Sequence, residues 1–366
     1  MFSELLFGNE NIETHHLLIE LVLGGLIVIV TGSKLTRNAD EISDALNLGK
    51  AWIGLLLLAT VTSLPELVTG LTAVTLETPN ANLAFGNILG SNSFNVAIIV
   101  VLNTVLRKGS VLREARPATT LAASFGVVMT GMLLLAFAIE NKFANEANFV
   151  AGFETVYCVL IFATYIFVMR LLYRFEKRSA EPAPEDESAK PKSMGRLYTG
   201  TAITAVLIVA AGYWMTRTGD KLADHPIGLL GGATLGGTFV GAFFLAIATS
   251  LPEIVTGIAA VRMGQLDLAL GNVFGSNMFN VFVVPFLKLA SAVGGKGLIM
   301  GGGSDGNAFD FARNTMTGAL AILLMGIAIA SVTYQSQRRI YFFGFDSVLI
   351  GLVYFGGMFM LIMAGS

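Results

Sequence analysis

Thr62-Ser63-Leu64-Pro65-Glu66 lies in the middle of a long apolar stretch, and Thr249-Ser250-Leu251-Pro252-Glu253 repeats it in the second half of the chain. A proline and a carboxylate inside an apolar helix each need a reason to be there. Proline has no N–H, so Pro65 leaves the carbonyl of Val61 without its helical partner, and Pro252 does the same to Ala248. Thr62 and Glu66 are spaced i, i+4 on one helix face, as are Thr249 and Glu253. A second shared block follows each first one: Gly86-Asn87-Ile88-Leu89-Gly90-Ser91-Asn92 and Gly271-Asn272-Val273-Phe274-Gly275-Ser276-Asn277. Along it Asn87, Ser91 and Asn95 recur at i, i+4, i+8, and Asn272, Ser276 and Asn280 do the same. Gly86 and Gly90, like Gly271 and Gly275, have the small-xxx-small spacing that lets another helix backbone approach.

The setting is a membrane. The chain has 366 residues, 54% hydrophobic and 13% charged, with a mean hydropathy of +0.71; a soluble domain carries about 25% charge. Ten apolar segments are expected to be spans: 16–36, 49–76, 82–106, 117–139, 149–173, 197–216, 227–262, 266–290, 312–333 and 341–364. Backbone groups in lipid must pair within their own segment, so non-alternating runs of this length are helices. The fold class is therefore an all-α polytopic membrane protein with ten transmembrane helices. The segment from Leu17 follows Glu4, Glu10 and Glu13 without Lys or Arg, and reads as the first span rather than a signal peptide. A net charge of −2 gives no basic surface for nucleic acid. One cysteine, Cys158, provides neither a disulfide nor a thiolate metal site.

Between the fifth and sixth segments, Ser179 to Ser193 is rich in Pro, Glu, Ser and Lys and reads as a disordered linker. With this linker in the cytoplasm, 17 Lys and Arg fall on inside ends and 6 on outside ends, a positive-inside bias that puts both termini outside. Five spans on either side of the linker make the halves enter the membrane in opposite directions. They are also alike. Residues 48–74 match 235–261 at 15 of 27 positions, and 86–96 match 271–281 at 8 of 11. The expected organisation is a first five-helix repeat over 1–173 with its motif at 60–96, a cytoplasmic linker over 174–196, and a second repeat over 197–366 with its motif at 247–281. Inverted repeats of this kind are the plan of many secondary transporters, whose sites lie at the repeat interface near the midplane.

The donors offered there are carboxylate, hydroxyl, amide and loose carbonyl oxygens. Hard oxygens suit Ca²⁺ and Na⁺ rather than a thiophilic metal. A charge at the centre of a membrane helix costs roughly 2.5–3.5 kcal/mol on insertion scales. Ca²⁺ would neutralise both carboxylates at once, whereas Na⁺ or protons would do so in its place, and mutually exclusive neutralisation is a physical basis for exchange.

The paired blocks resemble the alpha repeats of the Ca²⁺/cation antiporter superfamily, nearest its Na⁺/Ca²⁺ exchangers and their prokaryotic relatives. The resemblance covers both repeats and nearly the whole chain. It implies electrogenic antiport by alternating access, with Na⁺ entering to drive Ca²⁺ out. It carries ion ligation onto Thr62, Ser63, Glu66, Ser91 and Asn95, and onto Thr249, Ser250, Glu253, Ser276 and Asn280. Glu66 and Glu253 become the principal Ca²⁺ ligands, and the backbone carbonyls of Val61 and Ala248 join them. In the family plan helices 2, 3, 7 and 8 form a fixed core across which helices 1 and 6 slide. The implied setting is the inner membrane of a prokaryotic cell, with Ca²⁺ and Na⁺ as transported ions, the bilayer as surroundings, no cofactor and no protein partner. Val61 and Ala248 stand where the family usually has Gly, and Asn280 stands where many members, notably the K⁺-dependent branch, have Asp. The linker is too short to fold as the Ca²⁺-sensing domain of animal exchangers.

A Ca²⁺ or other divalent cation/H⁺ antiporter on the same scaffold is the nearest alternative. A membrane-embedded enzyme is another, but the chain offers neither an HExxH motif nor a serine–histidine pair at membrane depth. A scaffold without transport is a third, and two buried acids argue against it. Asn87, Asn272 and the glycines fit helix packing as well as ligation. Glu20, Glu154 and Asp346 fall near segment ends and are expected at the interface. Asp267, with Asn82 as its counterpart, suits a helix N-terminus. Gly301 to Gly306 matches Gly-rich motifs only formally, and Asp305, Asn307 and Asp310 form at most a weak outer cation site.

Overall fold

A computed structural model describes residues 14–75, 81–106, 110–179, 194–224, 249–293, 309–334, 339–340 and 343–365. Its helices follow the apolar segments. They are α1 Thr14–Ala45, α2 Lys50–Thr62, α3 Leu64–Thr75, α4 Ala81–Leu106, α5 Pro117–Lys142, α6 Ala147–Ser179, α7 Met194–Asp224, α8 Leu251–Arg262, α9 Leu266–Val293, α10 Phe311–Tyr334 and α11 Phe345–Gly365. Among the described residues seven of them (α1, α4, α5, α6, α7, α9 and α10) are long and apolar enough to cross a membrane, and α2 with α3, bent by 42° at their junction, is long and apolar enough as a pair. The first half of the seventh expected segment, residues 227–248, lies outside the described residues, and so does Ala248. So do residues 180–193 of the linker, His225 and the Gly-rich stretch 301–306. Helix α6 runs on to Ser179 and α7 begins at Met194, so both reach into the stretch read as linker. The last segment starts later than expected: Arg339–Ile340 (β1) and Phe343–Gly344 (β2) pair antiparallel, and the helix follows from Phe345.

Burial sorts the helices into a centre and a ring. Helices α4 and α9 are covered on nearly every side; α9 packs against α2, α3, α4, α5, α6 and α8. By contrast α1, α6, α7 and α11 each turn an apolar row outward, such as Leu18, Val22, Leu26 and Val30 of α1 or Leu352, Phe355 and Phe359 of α11. An apolar surface of that extent is stable against lipid tails, not water. The molecule is an all-helical polytopic membrane protein.

Local chemistry explains several ends. Ser110 accepts a hydrogen bond from the Leu112 amide and starts the 3₁₀ turn Val111–Glu114, and Pro117 opens α5, where a missing N–H costs nothing. Between α8 and α9, Gly264 takes φ +75°, and the amide of Gln265 returns to the Ala260 carbonyl at 2.9 Å. This left-handed closure is what makes that connection tight.

The three acids expected at the interface lie near the starts of their helices and are buried within the protein. Glu20 accepts from Trp214 Nε1 at 2.7 Å and Thr218 Oγ1 at 3.1 Å, which ties α1 to α7. Glu154 is ion-paired with Lys288, and Asp346 accepts from Ser110. Each partner comes from an element distant in sequence, so position within one segment did not reveal it. Asp267 does open α9, where Arg116 pairs with it at 2.9 Å, while Asn82 Oδ1 accepts from the Asp310 amide at 2.8 Å.

Candidate cation site

Two helix breaks bring the repeated blocks together. Ser63 sits between α2 and α3 at φ −92°, ψ 6°, and Ser250 precedes α8 at φ −90°, ψ 8°. The two copies of Thr-Ser-Leu-Pro-Glu thus depart from helical geometry at the same residue and by nearly the same angles. The break forms in the first copy although Val61, not glycine, precedes Thr62. A π-helical turn at Gly54–Leu58 widens α2 one turn earlier, a feature without a signal in the sequence.

The second blocks lie on α4 and α9, the two central helices. Close packing holds α9 against α2: a Cβ at Gly271 would stand 2.4 Å from the Ala51 carbonyl oxygen, and one at Gly275 would stand 2.7 Å from Leu55 Cα. For this pair the small-residue reading holds. The stretch equivalent to Ala51–Leu55 falls outside the described residues, and the same expectation for Gly86 and Gly90 falls with it.

All ten side chains singled out by sequence are buried to 1% exposure or less: Thr62, Ser63, Glu66, Ser91, Asn95, Thr249, Ser250, Glu253, Ser276 and Asn280. The wiring crosses between the halves. Ser63 Oγ donates to Glu253 Oε1 at 3.0 Å, Thr62 lies against Glu253, and Thr249 lies against Glu66. Within each half, Ser91 Oγ approaches Glu66 Oε1 at 3.4 Å and Ser276 Oγ approaches Glu253 Oε1 at 3.5 Å. The two carboxylates are near enough to repel each other.

Five buried oxygens in this group have no hydrogen-bond partner: Glu66 Oε2, Glu253 Oε2, Ser250 Oγ, Asn95 Oδ1 and Asn280 Oδ1. A buried polar atom left unsatisfied costs about 1–3 kcal/mol, and a charged one more. Oxygens of this kind are ligands for hard cations, and the set contains no nitrogen or sulfur donor that would favour a softer metal. The residues fit a cation, and the donors are of a kind that accommodates Ca²⁺ or Na⁺.

Asn272 is a bracing residue here. Its Oδ1 accepts from Thr62 at 3.2 Å and its Nδ2 donates to Thr256 Oγ1 at 2.8 Å. The equivalent Asn87 Nδ2 and Thr69 Oγ1 are unpaired, so the halves are not identical in detail. Two residues not singled out by sequence stand between the blocks: Asn92 and Asn277 exchange hydrogen bonds with each other's backbone carbonyl at 3.2 and 3.1 Å. Their presence in both copies, three residues before Asn95 and Asn280, was the signal available.

Helices α1 and α7 lie across both breaks. Gly212 of α7 faces Pro65, Gly32 of α1 faces Val255 and Thr256, and Thr36 Oγ1 donates to the Thr256 carbonyl at 3.3 Å.

Two acids buried at the centre of a lipid-facing helical bundle require compensating positive charge or protons. The family model described as sodium/calcium exchanger protein matches residues 16–173 and 197–363, and the chain belongs to that family. Membership carries cation/Ca²⁺ antiport as the general activity. Among its relatives, the inner membrane protein YrbG of Escherichia coli is 26% identical over 72% of this chain and 76% of its own length. The sodium/calcium exchanger MaX1 of Methanosarcina acetivorans is 24% identical over 72% of this chain and 80% of its own. The solved structure of the sodium–calcium exchanger NCX_Mj superposes with a TM-score of 0.65 over 94% of this chain and 98% of that one, at 18% identity, which makes the fold shared.

Proposed function

We propose that the protein exchanges Na⁺ for Ca²⁺ across the membrane, at one site between the two Thr-Ser-Leu-Pro-Glu breaks, by alternating access. The observation that carries this is the set of five unpaired buried oxygens, two of them on carboxylates, contributed by the repeated blocks of both halves. Glu66 and Glu253 serve as principal Ca²⁺ ligands. Thr62, Ser63, Ser91, Asn95, Thr249, Ser250, Ser276 and Asn280 complete the shell, with the carbonyls of Val61 and Ala248. Two charges among otherwise neutral oxygens match one Ca²⁺ or its replacement by Na⁺ ions. Coupling to Na⁺ rather than H⁺ is read from the match to the sodium/calcium exchanger family and its named exchanger MaX1, since the oxygen shell itself would serve Ca²⁺ with either counter-ion.

The chain is read as ten spans in two inverted five-helix repeats, with the linker in the cytoplasm and both termini outside. The matched Ser63 and Ser250 geometry and the reciprocal bonding of α4 with α9 support that symmetry. Helices α1 and α7, joined through Glu20, Trp214 and Thr218, are the moving pair; by sliding over Pro65 and Val255 they would open one side at a time.

Glu66→Gln and Glu253→Gln test the site. Each keeps size and hydrogen bonding but removes a charge. Both proteins should insert and purify as monodisperse particles yet show no ⁴⁵Ca²⁺ uptake into Na⁺-loaded proteoliposomes. Exchange at the native rate in both variants would refute the assignment.

A further inference from the structure

The amide groups beside the site are held in one orientation, which two backbone carbonyls set. A carbonyl oxygen can only accept. Asn277 reaches the Asn92 carbonyl with its side chain, so the atom there is Nδ2, at 3.1 Å. That places Asn277 Oδ1 on the other side, facing Asn95. Two oxygens cannot share a proton that neither carries, so Asn95 must turn its Nδ2 toward Asn277, at 3.1 Å. What remains for the site is Asn95 Oδ1, buried and unpaired.

The same sequence runs in the opposite half. Asn92 Nδ2 is committed to the Asn277 carbonyl at 3.2 Å, its Oδ1 accepts from Asn280 Nδ2 at 3.0 Å, and Asn280 Oδ1 is left unpaired. All four side chains are buried to 1% exposure or less, so water does not relax the constraint. A free amide offers a cation either its oxygen or its NH₂ group, and only the oxygen is a ligand.

We propose that Asn92 and Asn277 are positioning residues that lock the amides of Asn280 and Asn95, respectively, with oxygen toward the transported cation. This rests on the cation-site reading above. The control is crossed: a residue on α4 orients the ligand on α9, and a residue on α9 orients the ligand on α4. It also explains how Asn serves at both positions. Locked by its neighbour, each Asn presents a carbonyl dipole without adding a third or fourth negative charge beside Glu66 and Glu253. Removing a group that orients a metal ligand typically weakens affinity about 10- to 100-fold.

The test is a set of mutant cycles read as KM for ⁴⁵Ca²⁺ in Na⁺-loaded proteoliposomes, alongside Glu66→Gln and Glu253→Gln. Asn277→Ala should raise KM about 10- to 100-fold, and this effect should vanish in an Asn95→Ala background yet persist in an Asn280→Ala background. Asn92→Ala should show the reverse pattern. Equal, additive effects in both backgrounds would overturn the proposal, because a packing role has no reason to follow the crossed wiring. Should the alanine variants fail to fold, Asn277→Ser and Asn92→Ser take their places in the same cycles: effects that follow the crossed wiring support the lock, and equal, additive effects in both backgrounds overturn it. Additive cycles together with inactive Glu→Gln variants would reject the lock alone. Active Glu→Gln variants would reject the site and the lock with it.

Discussion

Gly275→Ala converts the tight seam between α2 and α9 into a measurable quantity. The added methyl would stand 2.7 Å from Ala59 Cβ, Leu55 Cα and the Leu55 carbonyl oxygen, where unstrained contact starts at 3.4 Å. Two of those three atoms are backbone, so no rotamer change relieves the clash. The helices must part by about 0.7 Å, and overpacking of this kind costs about 1–3 kcal/mol. The seam also carries the site. Thr62 reaches Asn272 across it at 3.2 Å, and that separation takes the bond past hydrogen-bonding range, a further loss of about 1 kcal/mol. Together the variant should lose about 2–4 kcal/mol of stability. The shift also carries Ser276 away from Thr62 and Ser63, distorting the shell; a distortion worth about 1.4 kcal/mol in binding raises KM for Ca²⁺ tenfold. The assay pairs a melting curve in detergent with ⁴⁵Ca²⁺ uptake. Gly131→Ala is the control, since a Cβ there meets nothing within 4 Å. Native melting and native KM for Gly275→Ala would refute the packing argument.

Further predictions follow from single features elsewhere. Lys288→Met leaves Glu154 buried without its partner and should cost about 3–5 kcal/mol; melting curves should show the loss, and adding Glu154→Gln should restore most of it. Gly264→Ala forces a left-handed backbone on a residue with a Cβ and should cost about 1–2 kcal/mol, read as a lower melting temperature with little change in KM, because the turn lies away from the cation ligands.

Much of the site was legible because repetition and oddity coincide. A proline beside an acid in an apolar helix is conspicuous once, and its second copy in a matched context marks both as one device. Helix periodicity gave which residues share a face, the family resemblance gave the set of ten, and all ten side chains are buried. Periodicity describes one helix at a time, however. It could not say that Ser63 would serve Glu253 rather than Glu66, nor that Asn92 and Asn277 would brace each other across α4 and α9. The partners of Glu154 and Asp346 were hidden for the same reason: Lys288 and Ser110, which make their burial tolerable, lie on other elements. The π turn at Gly54–Leu58 lies at the close contact of α2 with α9, where a Cβ on Gly54 would stand 2.5 Å from the Leu268 carbonyl oxygen, and a sequence of leucines after glycine contains no trace of it.

The central claim is that movement of Ca²⁺ is driven by Na⁺ through this site. Proteoliposomes containing the full chain can be loaded with Na⁺ and diluted into Na⁺-free medium with ⁴⁵Ca²⁺, or given an imposed pH gradient at equal Na⁺. Exchange as described here predicts rapid ⁴⁵Ca²⁺ uptake along the outward Na⁺ gradient and indifference to the pH gradient. Uptake that answers only to the pH gradient would contradict the account and establish the protons as the counter-ion.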